Sequence, residues 1–196
     1  MRLVRPALFA AALAAPLFLS APAAMAEPYA LDRSHASVTF SIDHIGFSLI
    51  QGRFNEFDAE IDYDPENIEN STVAFTIQAA SIDTGWEGRD NHIKSGDMLD
   101  VEEYPTITFV STSVKKLTDT TAEVTGDVTM KGETNEETFM VELRKVGPSP
   151  MDDTVTVSGF AVTGEIDRTD YGVDYFAPAV AAKMPLRVDM EIAPAK

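Results

Sequence analysis

Apolar and polar side chains alternate with a period of two along most of the chain. In ASVTFSID (36–43) Val38, Phe40 and Ile42 are separated by Ser37, Thr39 and Ser41, so an extended segment there has one greasy face and one polar face. The pattern recurs in Phe57/Ala59/Ile61/Tyr63, Val73/Phe75/Ile77, Val124/Val128/Met130, Phe139/Val141/Leu143 and Leu186/Val188/Met190/Ile192. Val155/Val157 and Phe160/Val162/Ile166 continue it with a phase slip near Gly159, where a bulge is expected. Turn chemistries separate the runs: Asp64-Pro65-Glu66-Asn67, Thr118-Asp119-Thr120, Lys131-Gly132-Glu133-Thr134-Asn135 and Gly147-Pro148-Ser149-Pro150. About eight strands joined in sequence, each with one apolar face, predict an all-β antiparallel barrel or sandwich in a single domain.

Two segments break the alternation. Gly88 to Ser95 predicts a short helix, with Asp90 and Lys94 at the i,i+4 spacing and Gly96 at the C-cap. RTDYGVDYFAPAVAAKMP (168–185) carries the prolines and glycine of a long loop. Both read as connectors laid across a barrel end. Asp62 to Asn70 reads as a solvated turn, because it lacks the glycine and terminal acid of a calcium loop.

The first residues, MRLVRPALFAALAAPLFLSAPAAMAEPYA, place two arginines before an apolar run that ends in Ala24-Met25-Ala26. This predicts a secretory signal peptide over 1–26 and an exported mature domain over 27–196. The run is too short and too rich in alanine and proline for a membrane span, and no second such stretch follows. With Arg2 and Arg5 removed, 13 basic residues face 32 acidic ones, for a formal charge of −19. A body that acidic repels phosphate backbones and anionic headgroups, which argues against nucleic-acid binding and against electrostatic adsorption to membranes. Cysteine is absent, so burial alone holds the fold.

Candidate chemistry is sparse. No nucleophile elbow occurs, and Ser34 and His35 are neighbours that a strand would point to opposite faces. His35, His44 and His92 lack metal-ligand spacing, so neither a metal nor a cofactor is expected. Asp32/His35 and Asp43/His44 read as strand-end polar groups. Arg89-Asp90 and Arg168 with Tyr171 are candidate polar groups at a barrel end, against the plainer reading that the arginines tie loops down. Trp86 reads as a plug over the core. Phe40, Phe47, Phe54, Phe75, Phe109, Phe139 and Phe160 are expected to face inward, and a barrel of about eight strands either fills its interior or holds one small ligand there.

Four segments carry a family resemblance: LDRSHASVTFSIDHIGFSLIQGRF (31–54), ASIDTGWEGRDNHIKSGDMLDVEEYPTITFVS (80–111), VTGDVTMKGETNEETFMVEL (124–143) and GEIDRTDYGV (164–173). Together they resemble the YceI-like proteins. Ala36, where the family usually has Ser or Thr, and Asn135-Glu136-Glu137 depart from the pattern. The resemblance implies an extended, lipocalin-like antiparallel barrel with a short helix in a connector. It also implies a periplasmic protein that binds rather than transforms a polyisoprenoid or quinone-like lipid. Carried over by motif, Phe40, Ile42, Phe54, Phe75, Ile82 and Phe109 would line the tunnel, with Arg89, Asp90 and His92 near its end. Enzymatic use of the cavity with His35, His44 or His92 as base, and a filled barrel with a partner-binding rim, are the competing expectations. Oligomeric state stays open, a homodimer included.

Overall fold

The computed structural model describes residues 26–196, so the predicted signal peptide lies outside the described residues apart from Ala26. Ten strands form one antiparallel sheet: β1 (Glu27–His44), β2 (Ser48–Phe54), β3 (Phe57–Tyr63), β4 (Thr72–Gln78), β5 (Ile82–Asp83), β6 (Thr106–Lys116), β7 (Thr121–Met130), β8 (Glu133–Pro148), β9 (Thr156–Asp167) and β10 (Lys183–Pro194). The helix α1 spans Glu87–Lys94, between β5 and β6.

Closure comes from β1, which pairs with β10 from Tyr29↔Pro194 to Phe40↔Leu186 and with β3 at Glu27↔Tyr63. The result is a closed eight-strand ring of β1, β3, β4 and β6 to β10, as the alternation predicts. The far half of β1 pairs with β2 instead, from Val38↔Phe54 to His44↔Ser48. Because β5 pairs only with Arg53 and Phe54, the β1–β2 hairpin extends past the ring with the edge of β2 uncovered over Ser48–Gly52. A closed ring leaves few unpaired edges elsewhere.

The ring has two ends. One, hereafter the helix end, gathers the β1–β2 turn, α1, the β7–β8 turn and the segment 168–182 that follows β9. The opposite end gathers the β3–β4 connection, the β6–β7 turn and the meeting of β1 with the end of β10. Strand β7 shows the inside-outside rule most cleanly: Ala122, Val124, Gly126, Val128 and Met130 are buried, while the residues between them are half-buried or exposed. The expected slip near Gly159 is present, but the extra residue lies on the partner strand: Leu143 pairs with Phe160 and Lys145 with Gly159, which leaves Arg144 as the bulge.

Several connector expectations are corrected. The helix begins one residue early, at Glu87, ends at Lys94 and is capped by Ser95 rather than Gly96. Asp90 does not reach toward Lys94; its carboxylate accepts from the Thr84 backbone N–H at 2.9 Å and from the Thr84 hydroxyl. In the 62–70 turn Asp64 is buried rather than solvated. It accepts from the Asn70 amide and from the N–H of Asn67 and Glu66, which lower its pKa against the opposing effect of burial. Trp86 is no plug: it is 64% exposed.

Candidate ligand cavity

The inward faces do not fill the ring. They leave a cavity of about 590 Å³, within the size range of small-molecule sites. Of the residues expected to line it, Phe40, Ile42, Phe54, Phe75, Ile82, Phe109, Phe139 and Phe160 do so. Edge-on or tilted ring pairs fix the walls, with centroids 5.7 Å apart for Phe40–Phe54 and 5.3 Å for Phe109–Phe139. Phe47 is a correction. It sits in the β1–β2 turn, 87% exposed and away from the cavity, because Ile45 and Gly46 adopt positive φ and end the alternation before it is reached.

The lining reaches both ends of the ring. At the far end it includes Ile68, Ser71, Thr72 and the turn residues Asp119–Thr121. At the helix end it includes His44, Thr84, Arg89, His92, Tyr175 and Phe176. Here the cavity meets solvent, since Tyr175 and Phe176 line it and are themselves 41% and 63% exposed.

Helix α1 is held over this mouth from both sides. Ile93 on the helix and Met98 and Leu99 just after it pack on the core, while Arg89 donates from Nε to the Thr84 hydroxyl at 2.7 Å and from its terminal nitrogen to the Thr84 carbonyl at 2.6 Å. His92 meets the Tyr175 ring edge-on at 4.6 Å, and Tyr175 meets Phe176 at 4.8 Å. Arg89 and His92 therefore border the cavity, whereas Asp90 is bound to Thr84 and does not line it.

Arg168 borders the cavity but serves the loop. Nε donates to the Ala181 carbonyl at 3.0 Å, one terminal nitrogen to Val180 at 2.9 Å and the other to Val173. Burial pushes its guanidinium down, with Asp167 and Asp174 opposing. Tyr171, the other residue expected at the tunnel end, lies outside the cavity. It is fully buried and donates to Glu137 at 2.9 Å, and burial followed by that bond pushes its phenol up. Both groups fasten the segment 168–182 across the helix end. Sequence reasoning missed Tyr175 and Phe176, which no alternation marks, and Val128 and Met130 as cavity walls, which the β7 alternation does mark.

The histidines do not converge. His44 and His92 line the cavity, whereas His35 is exposed beside Asp32 and Glu191. The ligand atoms of Asp32, His35 and Glu191 lie within 4.8 Å of one another, the one grouping among the described residues that a divalent cation could use. Its Nδ1 is already 2.9 Å from Asp32 and 3.3 Å from the Ser34 hydroxyl. A serine and an aspartate on the same ring nitrogen cannot relay a proton through the imidazole, so Ser34 and His35 do not form a nucleophile pair.

Fold and cavity together define a lipocalin-like antiparallel barrel with an apolar interior open to the surface. The chain belongs to the YceI-like family: residues 29–192 match the YceI-like domain. A UPF0312 protein of Staphylococcus aureus is 41% identical over 147 residues, covering 75% of this chain and 82% of that relative. Among solved structures, BcnA of Burkholderia cenocepacia superposes with a TM-score of 0.74 at 22% identity, over 82% of this chain and 98% of that one. A polyisoprenoid binding domain from Saccharophagus degradans superposes with a TM-score of 0.63 at 12% identity, over 85% and 98% of the two chains.

Proposed function

We propose that this protein is a periplasmic carrier of a long-chain isoprenoid or similar amphiphilic lipid, and a binding protein rather than an enzyme. The observation that carries the proposal is the apolar cavity running the length of the ring, walled by aromatic and aliphatic side chains. A hydrocarbon chain needs no polar partners there, since each buried CH₂ contributes about 0.8 kcal/mol. The polar end of the ligand sits at the helix end, beside Arg89, His44 and His92. The shared fold of the polyisoprenoid binding domain from Saccharophagus degradans supports the same class of ligand, and the signal-like residues 1–26 support export.

The test is organic extraction and mass spectrometry of protein purified from its own periplasm, beside an acidic periplasmic control. A stoichiometric isoprenoid is the expected result. A clean extract from protein that also fails to take up an added polyprenol would overturn the reading.

A further inference from the structure

The helix end carries an apolar collar around the cavity mouth. Among the described residues, Ile45, Phe47, Leu49, Trp86, Tyr175 and Phe176 are exposed large hydrophobics at this end, six of the eleven such residues in all. The other five, Val110, Leu117, Met140, Val146 and Met151, are scattered over β6, β8 and their turns. Exposed apolar residues are ordinary singly and informative when clustered.

Two of the collar segments are in contact. His44 bridges Val180, and the Ala181 N–H donates to the Asp43 carbonyl at 3.1 Å, so the β1–β2 turn lies against the loop 173–182. Both segments lack charge: IGFSLIQG (45–52) and YFAPAVAA (175–182) contain no Asp, Glu, Lys or Arg. In a chain that is 24% charged, sixteen residues would carry about four charges at random. These two segments are neutral, unlike the Glu87 and Arg89 that follow Trp86, and they stand on a chain of net charge −17. Tyr175 and Phe176 belong to the collar and to the cavity wall at once, so the patch is continuous with the mouth.

We infer that this collar docks the helix end on a lipid bilayer of neutral headgroups, placing the cavity mouth at the acyl-chain boundary. Aromatic and aliphatic side chains partition into that boundary without help from charge. The acidic body cannot use electrostatic attraction to anionic lipid and is repelled by it. Apolar insertion is the one adsorption mechanism this surface supports. The inference extends the carrier reading, which supplies its purpose, but its test does not depend on the cargo.

The test uses protein purified from its host and vesicles of phosphatidylcholine and phosphatidylethanolamine. Trp86 is the single tryptophan and lies in the collar, so its emission should shift to the blue on vesicles and be quenched by brominated acyl chains. Phe47→Ser with Leu49→Ser, neither on the cavity wall, should weaken partitioning on the order of a hundredfold, tenfold for each side chain withdrawn, with extracted lipid unchanged. Adding phosphatidylglycerol should weaken binding further at low salt. The inference is overturned if Trp86 does not respond to neutral vesicles, if the double variant binds as well as the parent, or if binding requires anionic lipid. A dimer that dissociates in the double variant would overturn it in favour of a second copy of the chain. Protein that binds vesicles yet takes up no lipid would leave docking standing while the carrier reading fell.

Discussion

The ring of Phe40 lies over Gly52, its direct partner across β1 and β2, so closely that a Cβ at position 52 would stand 2.3 Å from Cζ. Phe139 repeats the arrangement over Gly164, where a Cβ would stand 2.4 Å from Cδ1. In each case the missing side chain lets an aromatic ring lie flat on the backbone and keeps it out of the lumen. Two of the widest side chains in the wall thereby cost the cavity little space.

Gly52→Ala is expected to lift the Phe40 ring into the cavity. The ring can move, so the stability loss should be about 1 kcal/mol, while uptake of a polyprenol falls. Gly126→Ala is the contrasting case, because its Cβ would stand 2.3 Å from the Val110 carbonyl oxygen, which cannot move without its strand. It should lose more, about 2–3 kcal/mol. Urea denaturation of both variants, with a lipid-binding assay, checks the order.

Val162 lines the lumen at mid-strand, between Val141 on β8 and Val188 on β10. Val162→Trp should plug the cavity while the far-ultraviolet circular dichroism stays that of a β-barrel. Protein purified with this substitution should contain no extractable lipid. Full loading would show that the cargo does not occupy the lumen.

Arg168 holds three backbone carbonyls of the segment 173–181. Arg168→Met should destabilise by about 3 kcal/mol or more, since hydrogen bonds to charged groups contribute about 1.5–3 kcal/mol each and the orphaned Val173 carbonyl is buried. Arg168→Lys should recover only part, because an ammonium lacks the planar fork. Hydrogen exchange should show lost protection centred on Val180 and Ala181.

The Asp32–His35 pair titrates in opposite directions. The Ser34 hydroxyl, then His35 and the Ser34 N–H, hold Asp32 at about 2; the Asp32 carboxylate, with Glu191, raises His35 above 6.5. The Asp32 contribution is present above its unfolded value near 3.8 and is lost as pH falls through about 2. The His35 contribution is present below 6.5 and is lost as pH rises through its raised folded value. Both are fully present together only between about pH 4 and 6.5. Nuclear magnetic resonance titration should place His35 above 6.5 in the parent and lower in Asp32→Asn; equal values would dissolve the pair.

How much the sequence revealed depended on which force set each position. Strands β3, β4, β7 and β10 are legible because one face meets the lumen and the other meets water, and period two records that contrast. Strand β2 is not, since Leu49 is 60% exposed and Gly52 contributes no side chain to the pattern. Phe47 misled for a related reason: hydrophobicity marks burial only where a body exists to bury against, and the hairpin extends past the ring. At the site, the aromatic wall followed from alternation, but the roles of Asp90, Arg168 and Tyr171 are set by hydrogen bonds to distant backbone and side-chain partners, which no local pattern encodes.

The seam between β1 and β10 joins the first and last strands described, with Tyr29 opposite Pro194 and the Ala195 N–H donating to the Pro28 carbonyl. Such a join must await nearly the whole chain, and contacts of that sequence separation form slowly. During synthesis or passage across a membrane the earlier strands can curl but cannot enclose anything. A lumen therefore comes into being in a single late event, and no guest can be sheltered before that event is complete.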